Sequence, residues 1–147
     1  MVQPKTTDDT KSLKILLWGR PNVGKTIAGC SASAYFDPEK LGKEKQVLKD
    51  VFLVGVEDGV ASLRNLKLEV PNWFDLTEYM QTKEGEPSLP VLERAQTEVF
   101  QYIRKNAGDD TITIYDSITA FDTFAAGFHG KHAKSKTDKY AVLNAMA

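Results

Sequence analysis

Cysteine is almost missing from this chain: Cys30 is the single one in 147 residues, so an internal disulfide cannot form. Histidine is nearly as scarce. His129 and His132 stand three apart with no CxxC pair and no evident third ligand, which argues against a zinc centre. Long apolar runs are lacking too. The most compact, Ile15-Leu16-Leu17-Trp18, falls far short of the roughly 20 residues that cross a bilayer. The opening Met1–Ser12 is polar and mixed in charge, without the apolar core of a secretory signal. Nor does one sign of charge dominate, since 19 Lys and Arg face 20 Asp and Glu; this excludes a polycation built for nucleic acid along its whole length. These absences predict a reduced, cytoplasmic chain with no membrane partner. What is present is enough apolar residue, 41% against 27% charged, to fill the core of one domain over 13–147 behind a polar tail at 1–12.

The apolar pattern has a β-α-β rhythm. Leu13–Trp18 reads as a buried strand, and Lys25–Phe36, rich in small residues, as a helix stopped by Asp37-Pro38. Lys40–Asp50 is a charged connector and Val51–Val56 a second buried strand. Leu63–Met80 is ambiguous, with a short strand near Leu68–Val70 and a turn of helix around Trp73–Met80, where Trp73 and Phe74 cover a sheet edge. After a solvated loop at Thr82–Pro87, Ser88–Asn106 predicts a helix capped near Ser88, with Leu92, Ala95, Val99, Tyr102 and Ile103 on its apolar face. Thr111–Tyr115 is a third strand with Asp116 at its tip. Strands alternating with helices predict an α/β fold with a mainly parallel sheet covered on both faces.

Gly19-Arg20-Pro21-Asn22-Val23-Gly24-Lys25-Thr26 matches G-x-x-x-x-G-K-[ST], the phosphate-loop pattern. It lies after an apolar strand and before a helix, where its chemistry requires it. Gly19 and Gly24 allow the backbone N–H groups to turn toward phosphate oxygens. Lys25 reaches the β- and γ-phosphates, and the Thr26 hydroxyl is placed to ligate Mg²⁺. A carboxylate at the tip of a buried strand faces the crevice where open α/β sheets bind ligands, and Asp116 has that setting. Its alternative is to cap the helix that follows. Glu57 ends the other apolar strand and can act as general base on an attacking water. Asp58 is its rival, and an ordinary Asp-Gly turn explains either residue.

Taken alone, GRPNVGKT looks like the first motif of translation-factor GTPases. The other two motifs of that family are not met. No Asp is followed at the third position by Gly, and Ser135-Lys136-Thr137-Asp138 only imitates the guanine-reading [NT]-K-x-D. The fuller resemblance is to RecA-like P-loop ATPases, in particular the small phage-encoded ATPases of single-strand annealing and recombination. The phosphate loop, Val51–Leu66 (VFLVGVEDGVASLRNL) and Thr111–Phe121 (TITIYDSITAF) carry it. The resemblance implies a three-layer α/β/α fold, ATP and Mg²⁺ as ligands, Glu57 as catalytic base with Lys25 on the phosphates, and Thr26 with Asp116 organising the metal. It also implies action on single-stranded DNA in the cytoplasm of a phage's host, by a homo-oligomer or with a completing partner chain. Kept beside it are a P-loop small-molecule kinase and an ATP-binding, non-hydrolysing DNA module.

Gly127–Tyr140 (GFHGKHAKSKTDKY) holds Lys131, Lys134, Lys136 and Lys139 against one acid, Asp138. It reads either as a DNA contact or as a solvated loop, with Phe128 and Tyr140 as stacking surfaces in the first case. Three confident strands are few for a RecA-like sheet. The chain therefore reads as the N-terminal part of such a core, truncated at its C-terminus.

Overall fold

The computed structural model describes residues 15, 17, 24–56, 60–82 and 84–132, without the side chains of 60, 131 and 132. Among them the strands are β1 (Gln46–Val47), β2 (Val51–Gly55), β3 (Leu68–Glu69), β4 (Asn72–Asp75) and β5 (Ile112–Asp116). The helices are α1 (Lys25–Cys30), α2 (Val60–Asn65), α3 (Leu89–Asn106) and α4 (Ile118–His132), with 3₁₀ turns at Pro38–Lys40 and Thr77–Met80. β2 is apolar or glycine throughout and buried at all five positions, so it takes the centre of a parallel sheet ordered β4-β2-β5. β1 and β3 form a separate parallel pair. The chain is thus a mixed α/β protein with small parallel sheets, and no described helix is long and apolar enough to cross a membrane.

Side chains alternate across β2 and build two cores. Val51 and Leu53 join Cys30 of α1, Leu63 of α2, Leu48 and Leu68. Phe52 and Val54 join Leu92, Ala95 and Ile103 of α3 with Leu76, and Phe121 and Phe124 of α4 pack against them. The α3 periodicity is borne out over the whole helix, and the Ser88 hydroxyl accepts from Val91 N at 3.4 Å as the cap. Tyr102 is the exception on its apolar face: half exposed, it sets its ring edge against Phe74.

Several expectations are corrected. The helix expected to reach Phe36 ends at Cys30. Beyond it Ser31 bonds back to Ala28 O, and the Asp50 carboxylate accepts from the Ser33 hydroxyl and from Ala34 N. These side-chain bonds offer the backbone an alternative to helix. Asp37-Pro38 opens a 3₁₀ turn, with Asp37 accepting from Glu39 N at 2.9 Å. The connector at Lys40–Asp50 contains β1. Of the helical turn expected around Trp73–Met80, Thr77–Met80 is helical, as a 3₁₀ turn, and the beginning is strand instead. Trp73 and Phe74 lie inside β4, where they pair with Leu53 and Val54 of β2. Of the strand expected at Leu13–Trp18, only Ile15 and Leu17 are described. Neither is in a strand, and both are exposed, because no described strand edge takes them into a ladder.

Candidate functional site

Parallel register brings three strand tips level, since Gly55 of β2 is opposite Asp75 of β4 on one side and Asp116 of β5 on the other. The β2 tip is tied on both flanks: Leu76 N donates to Gly55 O at 2.8 Å, and Val56 N to Asp116 O at 3.0 Å. α1 returns to this edge from the other direction in sequence. Gly24 occupies its N-cap with φ 87°, a left-handed backbone that a side chain would strain, and Ala28 N closes the first turn on Gly24 O at 2.8 Å. Gly29 then lets the helix lie on β5. A Cβ there would stand 3.1 Å from Ile114 Cδ1.

This packing joins two residues that are 90 positions apart: the Thr26 hydroxyl donates to Asp116 Oδ2, and both residues are half-buried. The capping alternative for Asp116 is not what is seen, because Ser117 Oγ accepts from Ala120 N at 3.1 Å at the start of α4. Asp116's carboxylate is thereby left to α1. Cys30 sits nearby, fully buried; burial, with a smaller push from the Asp116 charge, raises its thiol to about 11. It is a packing residue of the core that α1 shares with β2. On the opposite face Tyr115 accepts from Gln96 Nε2 at 3.0 Å, and burial followed by the Asp122 charge raises its phenol.

Lys25 opens α1 and is half-buried. Gly19, Arg20, Pro21, Asn22 and Val23 lie outside the described residues, as do Glu57 and Asp58. So do Lys134, Lys136 and Lys139. The basic segment expected as a loop is helical at its start, where 127–132, including Lys131, continue α4. Among the described residues no group of three or more His, Cys, Asp or Glu is arranged to hold a metal. A Thr hydroxyl beside one carboxylate is a different donor set. It suits Mg²⁺, a hard cation that keeps waters and takes its remaining ligands from substrate phosphates. An open cleft of about 480 Å³ lies at the far end of β5, but Asp50, Asp109 and Asp110 line it, which is repulsive to phosphate.

Sequence reasoning missed Asp75, level with Asp116, which accepts from the N and the hydroxyl of Thr77 at 2.9 and 2.6 Å. Its signal is a carboxylate before a short helical turn, hidden while β4 went unrecognised. Fold and site together define a mixed α/β protein whose parallel strand tips gather a hydroxyl and a carboxylate. Comparison with protein-family models, curated proteins and solved structures finds no match.

Proposed function

We propose that the chain is a P-loop ATPase domain of RecA-like type that binds Mg·ATP and couples it to single-stranded DNA in recombination, annealing or repair. The observation that supports this reading most is the Thr26–Asp116 hydrogen bond. Two residues singled out for one metal, from motifs at opposite ends of the described chain, meet side by side. Thr26 and Asp116 would hold Mg²⁺, which when bound screens the charge of the β- and γ-phosphates. Lys25, beside Thr26 on α1, neutralises phosphate charge, and the Gly24 turn brings backbone close to the same oxygens. Glu57, next after the tied β2 tip, orients the attacking water and accepts its proton.

Lys25→Ala tests the assignment. Binding of ATP, read by calorimetry with Mg²⁺, should fall at least tenfold, and phosphate release should cease. Unchanged affinity and turnover would sink it. Competition with GTP separates the GTPase alternative. A small-molecule kinase would need an acceptor and ignore DNA, whereas a non-hydrolysing module would bind DNA without releasing phosphate.

A further inference from the structure

A second cleft, of about 470 Å³, is lined by Lys45, Arg64, Lys67, Glu69 and Trp73, with Leu68 and Val70 at its base. Its walls precede or open β4, whereas Asp116 closes β5, so it lies toward the opposite ends of the strands from the nucleotide site. The charge is one-sided. Three cations face one carboxylate, Glu69, and that carboxylate is already ion-paired with Lys45. Lys67 Nζ donates to the backbone carbonyl of Lys43 at 2.8 Å. Arg64 lies with its guanidinium carbon 5.9 Å from the centre of the Trp73 ring, within cation–π range. The Trp73 Nε1–H is buried without a hydrogen-bond partner among the described residues.

We propose that this cleft binds single-stranded nucleic acid, with phosphates on Lys45 and Lys67 and a base on the Arg64–Trp73 stack. Cations select a polyanion, and an acidic peptide would satisfy them equally well. The flat Arg–Trp surface is the discriminating feature, because unstacked bases use aromatic and guanidinium planes and carboxylate side chains do not. The choice of DNA as the strand rests on the proposed function.

The full chain is titrated into a fluorescein-labelled dT oligomer by anisotropy over a salt series, beside Arg64→Ala/Lys67→Gly and Arg64→Lys. Both residues are exposed, and glycine suits Lys67, whose φ is 57°. The double variant should bind about tenfold more weakly, with a salt slope shallower by about 0.7, since Lys67 is the one phosphate contact it removes and each such contact on a single strand contributes about 0.7. Arg64→Lys should weaken binding and leave the slope alone, because it keeps the charge and loses the plane. This second variant carries the test if the double one fails to fold. An oligomer bound equally by all three chains overturns the cleft and leaves the ATPase reading standing. No binding by the native chain, with or without Mg·ATP, overturns the cleft and the DNA half of that reading together. Displacement of the oligomer by polyglutamate at equal charge, with no difference between Arg64→Lys and native, assigns the cleft to acidic protein and overturns the proposal.

Discussion

A single oxygen of Thr26 carries the link between α1 and Asp116, so its chemistry can be isolated by substitutions that keep shape. Thr26→Val preserves the volume and removes the donor, leaving a half-buried carboxylate without that bond; losing a bond to a charged group costs about 1.5–3 kcal/mol. Thr26→Ser keeps the hydroxyl. The Mg²⁺-dependence of ATP binding should therefore collapse in the valine variant, by about tenfold or more in affinity, and survive within about twofold in the serine variant. Valine binding Mg·ATP like the native chain would remove Thr26 from the metal site. Cys30 gives a residue-scale test of pH dependence. Burial, then the Asp116 charge, lifts its thiol to about 11, so the folded chain keeps a proton that the unfolded chain gives up near pH 9. The resulting stability is complete below about pH 9 and is lost as pH rises toward 11. Urea unfolding of native and Cys30→Ala chains should accordingly differ most near pH 8 and converge by about 2 kcal/mol as pH approaches 11. A pH-independent difference would contradict the buried thiol.

At the scale of elements, the site exists because α1 can lie close on β5, and that closeness depends on Gly29 facing Ile114. Gly29→Ala gains helix propensity of about 1 kcal/mol and loses about 1–3 in overpacking, so it ranges from neutral to about 2 kcal/mol destabilising. The substitution also reaches the site. The added methyl meets Ile114 Cδ1 at 3.1 Å, lifting α1 by a few tenths of an ångström and drawing Thr26 from Asp116. Affinity for Mg·ATP should fall about threefold to tenfold, and Ile114→Val, which deletes that Cδ1, should restore it in the double variant. Failure of the rescue would place the coupling elsewhere. The same elements mark what a sequence can disclose. β2 and α3 were legible because burial imposes an unbroken apolar run or three-and-four spacing over many residues, and β5 because Ile112, Thr113, Ile114 and Tyr115 are β-branched or aromatic. Thr26 and Asp116 were legible because their motifs carry chemistry at fixed offsets from a strand. β4 was not, since Asn72-Trp73-Phe74-Asp75 is too short to show a period and becomes strand only by pairing with β2. The end of α1 was hidden for a related reason: Asp50, 17 residues from Ser33, draws the backbone out of helix, and local propensity holds no record of it. The Arg64–Trp73 cleft likewise arises from α2 and β4 meeting, not from any motif.

For the whole molecule, the consequence is that one ligand should hold together segments far apart in sequence. Lys25 and Thr26 stand at the start of the described body and Asp116 near its end, and β2, buried on both faces, lies next to β5 in the sheet. A ligand bound to both halves stabilises only the folded chain, by RT ln(1 + [L]/Kd), which is about 2.7 kcal/mol at one hundred times Kd. For a chain of 147 residues, a gain of that size raises the melting temperature by roughly 5–10 °C. Differential scanning calorimetry should show that rise with Mg·ATP and a smaller one with ATP in EDTA, because the Thr26–Asp116 pair then has no cation to share with the phosphates. Asp116→Asn should reduce the Mg²⁺-dependent part to near zero while keeping the part due to Lys25. Hydrogen exchange localises the same effect, with protection expected to rise in α1 and β5, the elements being clamped, and little in β4, on the other side of β2. Protection confined to β4 and the Trp73 cleft would mean that ATP binds at the wrong end of the sheet, and equal melting temperatures with and without Mg·ATP at millimolar concentration would mean that the two halves do not form one site.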